Sequence, residues 1–353
     1  MSVSIKTNPS FTSKLQVKKT ILKKRGLFVE EFHVIGAGGI GLAIATSLYK
    51  AGKKVLLIEN NPEKIAFCKA HGAMVDNQSF PINIEAFENW APCPNIVNIL
   101  CVKCYNNDEI LKKTNAQTLL LPIQNGFDER LTSLPLIGEG IASFISECAP
   151  KKTFANITRN GKLHLGPIQP WTNMPFLFEL KTALRQGGID SHLVAWSLPY
   201  KNTKLMYNAA ISPLTSAGGF ENSALLKPGK LRTLFFQFLL ENHAILKASN
   251  QPMGTIGPFH PDKVAWLLTH KWVGESMAPF FRPSLKKTYC SMFHDVMGGA
   301  TEIENYNGYL SRLAKTSKLP SPLNDLALKV ITQMASERSM GNVHWLNSIL
   351  DAF

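Results

Sequence analysis

The stretch Gly36-Ala37-Gly38-Gly39-Ile40-Gly41 narrows the folds open to this chain more than any other feature. It follows an apolar run, Phe32-His-Val-Ile35, and leads into Ile40–Lys50, where Ile40, Ala43, Ile44 and Leu48 recur on one helical face. In a strand–turn–helix setting the first glycine permits the tight turn and the second lets backbone approach a pyrophosphate. The third lets helix and strand pack closely. The helix N-terminus then presents free N–H groups and the positive end of its dipole to phosphates. A second strand, Lys54-Val-Leu-Leu-Ile58, ends at Glu59, whose carboxylate suits the hydroxyls of an adenosine ribose and repels a 2′-phosphate. A dinucleotide held by Gly36, Ala37, Gly38, Gly39, Ile40, Gly41, Glu59 and Asn60 is therefore expected. Between NADPH and NADH, Glu59 and the neutral Asn60 lean towards NADH, while Lys64 offers a cation to a phosphate.

Strand and helix keep alternating along the chain. Asn61-Pro62 supplies an N-cap followed by proline at the first helical position, and the helix it opens runs to His71-Gly72. Further strands are predicted at Ala73–Val75, Asn95–Val102, Thr118–Pro122 and Ile141–Glu147. Asn160-Gly161 predicts a hairpin within Thr153–Leu165, an antiparallel addition at the sheet edge. Beyond Trp196 helical patterns take over, in Leu231–Leu246, Asp262–Trp272 and Asn324–Ser336. The predicted fold class is α/β: an N-terminal Rossmann-type doubly wound parallel sheet over residues 27–195, then an all-helical C-terminal domain over 196–353. The change of texture falls near Leu193–Tyr200.

Composition bears on what such a fold can bind. With 353 residues, 45% of them hydrophobic and 18% charged, the chain has material for two cored domains and is not a disordered one. No apolar run reaches the roughly 18 residues of a membrane helix. The formal charge is +13, yet seven of the 38 basic residues and none of the 25 acidic ones fall in residues 1–26. That arm has one aromatic, Phe11, so it lacks a stacking platform for nucleic acid, and it lacks the apolar centre of a secretory signal. It reads as a flexible solvated arm, and the expectation is a cytoplasmic protein with no nucleic-acid or membrane partner. The six cysteines (68, 93, 101, 104, 148 and 290) show no disulfide-framework spacing and read as reduced thiols. Cys101-Val-Lys-Cys104 has neither a second pair nor a nearby histidine, so it reads as a strand end and no metal is expected.

Three stretches beyond the glycine loop carry chemistry. Pro122-Ile-Gln-Asn125-Gly126 ends a sheet strand, where ligands of open α/β folds bind. Lys204, Asn208 and Ser212 are spaced i, i+4, i+8 and share one helical face. Then Cys290-Ser291-Met-Phe-His-Asp295 is followed by Gly298-Gly299, predicted to be a turn between helices. Thr301 and Glu304 predict a capping box, with Glu302 in a first helical turn near the positive end of its dipole.

In this order the motifs resemble the ketopantoate reductase (2-dehydropantoate 2-reductase) family, from Phe32 to Glu337. They are the glycine loop, Lys103 in Cys-Val-Lys-Cys-Tyr, Gln-Asn-Gly, Lys-Leu-x-x-Asn-Ala, Ser-Met-x-x-Asp and Thr-Glu-Ile-x-x-x-Asn-Gly. The resemblance implies a Rossmann domain that holds NADPH and a helical domain that closes over a branched 2-oxo acid. By motif position it implies Lys204 as the catalytic lysine and Glu302 as its acidic partner. Asn208, Asn222, Ser291 and Asn125 would be substrate ligands, together with Ser212, which stands where the family usually has another Asn. Lys103 and Asn125 would lie near the nicotinamide and phosphates. Lys201-Asn-Thr203 replaces the family's Trp before the catalytic lysine, and Glu59-Asn60 replaces its small residue plus Arg.

Those residue types suit the chemistry. Hydride delivery to a keto carbon builds negative charge on oxygen, which an ammonium such as Lys204 can stabilise and protonate. A lysine in a partly dry cleft holds its proton less tightly, which suits a general acid near neutral pH. The expected function is NAD(P)H-dependent reduction of a small 2-oxo acid, ketopantoate to pantoate on the route to pantothenate and coenzyme A. The alternatives are a reductase of another 2-oxo or imino acid, of opine type, and a non-catalytic dinucleotide-binding sensor. A homodimer is the candidate assembly.

Overall fold

The computed structural model describes residues 29–134 and 136–352; the basic arm read from residues 1–26 lies outside them. Its centre is a five-stranded sheet in which Glu31–Ile35 pairs with Lys54–Glu59 on one side and Val97–Leu100 on the other. Asn83–Ala86 and Leu119–Pro122 form the edges, and every pairing is parallel. Asn83–Ala86 is a strand absent from the sequence prediction. Neighbouring residues of these strands enter different cores. Val34, Leu57, Ile99 and Leu121 pack with the helix Gly39–Lys50, while Ile35, Ile58, Leu100 and Leu120 pack with Trp90 and Ile110. Burial on both faces is why the strands read as unbroken apolar runs. Strand order reverses at Glu31–Ile35, so a crevice opens beyond the C-terminal ends of that strand and Val97–Leu100.

Two smaller sheets correct the sequence reading. Ala73–Val75 sits in a four-stranded sheet between Gln78–Phe80 and Phe154–Arg159, with Ile145–Cys148 at the edge. Leu163–Gly166 sits in another sheet, between Ser191–Leu193 and Glu139–Ala142. Ile141–Glu147 is therefore not one strand, and Thr153–Leu165 is not a hairpin. The cause lies at Ser143 and Lys162. Ser143 N–H donates to Lys162 O (2.7 Å), and Lys162 N–H donates to Ser143 Oγ (2.8 Å). A Cβ at Gly161 would run into the backbone of Ser143 and Phe144. Glycine stands there because another backbone passes close by. Beyond this crossing the strands separate into different sheets.

After Ser191–Leu193 the chain enters the long helix Leu198–Gly218, which lies in a second core. The helices Lys230–Ala248, Pro322–Ser336 and Val343–Leu350 pack against it, and Tyr309–Thr316 packs on Lys230–Ala248. Asp262–Trp272, expected as one helix, is two: Pro261–Thr269 and Lys271–Phe281 are separated at His270, whose φ −96° and ψ 84° are not helical. Asn307, buried on a π-helical turn spanning Glu304–Gly308, donates to Ala209 O (2.8 Å) and Asn324 Oδ1 (2.9 Å). Those bonds fasten the turn that follows Glu302 to the middle of the long helix. Among the described residues no helix is long and apolar enough to cross a membrane. None of their His, Cys, Asp and Glu side chains cluster in threes fit to hold a metal ion.

Candidate active site

Gly36 has φ +101°, a backbone conformation that favours glycine, and a Cβ there would meet Val102 Cγ1 at 2.8 Å. A Cβ at Gly41 would overlap Gly36 O, and one at Gly39 would overlap Ser146 O, so the helix closes on both sheets at these points. Gly38 differs, since a Cβ there would meet nothing within 4 Å and the helix it precedes has no side-chain cap. The first-turn N–H groups of Gly39, Ile40 and Gly41 are left for a ligand at the positive end of the dipole. This fits the pyrophosphate of a dinucleotide.

Glu59 is buried and fixed. Its Oε2 accepts the N–H of Ala37 (3.0 Å), and its Oε1 accepts those of Asn60 (2.9 Å) and Asn61 (3.1 Å). Lys64 Nζ lies 3.8 Å from the carboxylate and donates to Ala37 O (3.1 Å). The Asn60 side chain is exposed. The negative charge at the end of the second strand is therefore wired to the glycine loop, with one lysine beside it.

The segment after Val97–Leu100 joins this loop to a buried cluster. Val102 touches Gly36, and the next residue, Lys103, reaches the helical part of the chain. Its Nζ lies 2.6 Å from Asp295 Oδ2 and 3.3 Å from Glu302 Oε2. Glu302 is 1% exposed; it also accepts from Cys104 N–H (3.2 Å) and Tyr306 Oη (3.2 Å). Burial by itself would loosen the Lys103 proton, but Glu302 and Asp295 outweigh it and hold that proton more tightly than usual. Burial, then Glu302, pushes the Cys104 thiol and the Tyr306 hydroxyl upward. Lys204 stands beside this cluster on Leu198–Gly218, half-buried, with Nζ donating to Ala142 O. Its pKa is lowered to about 8 by burial, with Glu302 pulling the other way. One turn earlier Lys201 pairs with the buried Glu139 and lies 4.6 Å over the ring of Phe127.

The remaining expected ligands take varied places. Asn125 is half-buried, and its carbonyl accepts the Cys104 thiol (3.0 Å). Gly126 has φ +73° and packs against the Tyr306 ring, where a Cβ would lie 2.7 Å away. Phe127 then exchanges two 2.9 Å hydrogen bonds with Asn305 and stacks on Tyr309. Asn208 is half-buried and Ser212 buried on the face that carries Lys204. Asn222 is buried; its Nδ2 donates to Thr288 Oγ1 (3.0 Å), and its Oδ1 has no partner. Ser291 is exposed. Lys103, Lys204 and Glu302 are thus neighbours, and the ammonium in direct contact with Glu302 is that of Lys103.

Several participants escaped the sequence reading. Tyr306 lies four residues after Glu302, a spacing that places both on one helical face and was legible. Asp295 stood in a quoted motif without a role. The Ala142 carbonyl and the Cys104 N–H carry no sequence signal. The capping box forms only in part: Thr301 Oγ1 accepts from Ile303 N–H (3.2 Å), while Glu304 turns forward to Arg312 (3.3 Å). The π-helical turn begins at Glu304 itself, so the regular first turn that a reciprocal box requires is missing. The turn at Gly298-Gly299 is present, with Gly299 at φ +80°.

Comparison with known proteins agrees with this architecture. Residues 32–169 match the family described as ketopantoate reductase PanE/ApbA, and residues 198–335 match its C-terminal counterpart. The 2-dehydropantoate 2-reductase of Aquifex aeolicus is 25% identical over 318 residues, covering 86% of this chain and 96% of that protein. Its namesake from Pyrococcus horikoshii is 24% identical, covering 84% and 94%. Among solved structures, D-mandelate dehydrogenase with NADH and anilino(oxo)acetate superposes with a TM-score of 0.71 at 18% identity, covering 87% of this chain and 99% of that one. The 2-dehydropantoate 2-reductase of Methylococcus capsulatus gives 0.64 at 20% identity, covering 88% and 100%. With both segments of one family matched in order, and its relatives covered nearly from end to end, this chain belongs to the ketopantoate reductase family of oxidoreductases.

Proposed function

We propose that this protein reduces a small branched 2-oxo acid with NAD(P)H, and that the acid is 2-dehydropantoate, giving pantoate for pantothenate and coenzyme A synthesis. The observation that carries the reading is Lys204, a half-buried amine lowered to about 8 and set beside a buried carboxylate cluster. That cluster is one residue beyond the segment packed on the glycine loop. Gly38 through Gly41 and Glu59 would hold the dinucleotide. When bound, its dihydronicotinamide supplies the hydride. Lys204 stabilises the charge that grows on the substrate oxygen and donates the proton that completes the alcohol. Asn208, Ser212 and Ser291 would orient the acid by hydrogen bonds, and the free Oδ1 of Asn222 would accept from a substrate hydroxyl. Asn125 would bind at the junction of substrate and nicotinamide, on the loop pinned by Gly126.

The Lys204 proton gives the pH dependence. Below about pH 8 the amine carries the proton it must deliver, and above that pH it does not. The kcat/KM for reduction, which reports the free enzyme, is expected to fall about tenfold per unit above the limb, and that for oxidation of pantoate to rise through the same region. Rates measured by absorbance at 340 nm across pH, with 2-dehydropantoate and a panel of 2-oxo acids, test both parts. Comparable kcat/KM for unbranched acids would move the substrate to another 2-oxo acid, a reading that the shorter Ser212 side chain favours. A profile flat through pH 8 would remove Lys204 from its role.

Cofactor choice follows from Glu59. A fixed carboxylate at the ribose position repels a 2′-phosphate, and Lys64 beside it offsets only part of that charge. We expect kcat/KM for NADH to exceed that for NADPH by about tenfold, less than the roughly 4 kcal/mol of an unscreened like-charge pair about 4 Å apart near a protein surface because Lys64 cancels part of the repulsion. D-mandelate dehydrogenase, which shares the fold, is likewise named with NADH. Equal or better use of NADPH would assign Lys64 to the 2′-phosphate instead.

A further inference from the structure

The Lys103 ammonium faces two carboxylates at unequal distances, 2.6 Å from Asp295 and 3.3 Å from Glu302. We propose that Asp295 is a positioning residue: by taking the larger share of the Lys103 ammonium, it leaves the Glu302 charge free to act on Lys204. This rests on the general-acid role of Lys204 argued above.

The contacts fix the Lys103 links, and Glu302 acts on Lys204 through its charge and not through a direct bond. Asp295 ends the short helix Met292–Asp295, its side chain is 14% exposed, and its carboxylate reaches across to the segment that follows Val97–Leu100. Burial drives this carboxyl towards its neutral form, and Lys103 opposes that. The charged and titratable groups around the pair are Glu302 and Tyr306, Cys104 and Tyr105 beside Lys103, and His294 on the Asp295 helix, with Lys201 and Asp128 acting on the same cluster at Cys104. Glu302 is the carboxylate that opposes burial and helps hold the Lys204 proton. One ammonium between two carboxylates leaves about one net negative charge beside Lys204. Removing the Asp295 charge turns Lys103 wholly onto Glu302, and the pair becomes neutral towards Lys204.

The test is the alkaline limb of kcat/KM in the whole chain. In Asp295→Asn the limb is expected about half a pH unit or more below that of the unmodified enzyme, since less negative charge holds the Lys204 proton. Asp295→Glu restores the carboxylate and should restore the limb, which a merely structural role would not require. Asp295→Ser, small and neutral, repeats the measurement if the Asn variant does not fold, and melting temperatures identify the folded variants. Neutral variants whose limb stays in place overturn the proposal even if their rates fall. An unmodified enzyme with no limb near pH 8 would instead remove the Lys204 reading on which the proposal depends.

Discussion

Lys204→Ala is expected to lower kcat by about a thousandfold, the middle of the range for a positioned general acid, while the cofactor still binds. The side chain touches the fold through one hydrogen bond, to Ala142 O, and its burial works against its own charge. Its removal should therefore leave the melting temperature close to the unmodified value. The glycine loop and Glu59 make their contacts without it. A fluorescence titration of cofactor should consequently give a dissociation constant within a few-fold of the original. The alkaline limb should vanish together with the rate, because no group is left to titrate there. Lys204→Arg separates two contributions: a guanidinium restores positive charge near the oxyanion, but it stays protonated and cannot deliver the proton. Its rate should lie between those of the alanine variant and the unmodified enzyme, without the limb at pH 8. Near-normal turnover of Lys204→Ala would sink the assignment.

What the sequence made legible was local. The glycine loop could be read because its requirements fall within six residues: a positive φ at Gly36, an open place at Gly38 and close packing at Gly41. The Asn61 cap was legible for the same reason, and it is present, accepting from Glu63 and Lys64 N–H. The family match in both segments likewise followed from ordered short motifs. Errors arose where a distant backbone decides. Gly161 resembles a hairpin residue until Ser143 is seen passing beside it. Asp76-Asn77, both at positive φ, was an overlooked turn signal that joins Ala73–Val75 to Gln78–Phe80. At the candidate site, Lys204 and Glu302 were named from motifs, whereas the bond from Lys103 to Glu302 spans 199 residues. No spacing rule reaches that far, so Lys103 was placed near the nicotinamide and phosphates and not also at the joint between the two parts of the chain.

Glu302→Gln should show how far that joint governs the chemistry, with an expected loss of about a hundredfold in kcat/KM, near the lower bound for disturbing a general acid. Glutamine keeps the length and volume of the side chain but not its charge or its acceptor symmetry. Glu302 accepts from Cys104 N–H on one oxygen and from Lys103 and Tyr306 on the other. An amide has a single oxygen. If it serves Cys104, its NH2 group faces the Lys103 ammonium, donor against donor. If it turns to Lys103, the Cys104 N–H loses its acceptor in a buried place, which typically costs about 1–3 kcal/mol. Lys103 then relies on Asp295, and Lys204 loses the carboxylate that holds its proton. The alkaline limb should therefore move further down in Glu302→Gln than in Asp295→Asn, since the first removes the acting charge and the second only redirects its counter-ion. A pH–rate profile of the two variants, with melting curves to separate folding from chemistry, decides the order. A limb that stays in place in Glu302→Gln, with a normal melting temperature, would mean that Glu302 braces the joint and leaves the proton on Lys204 untouched.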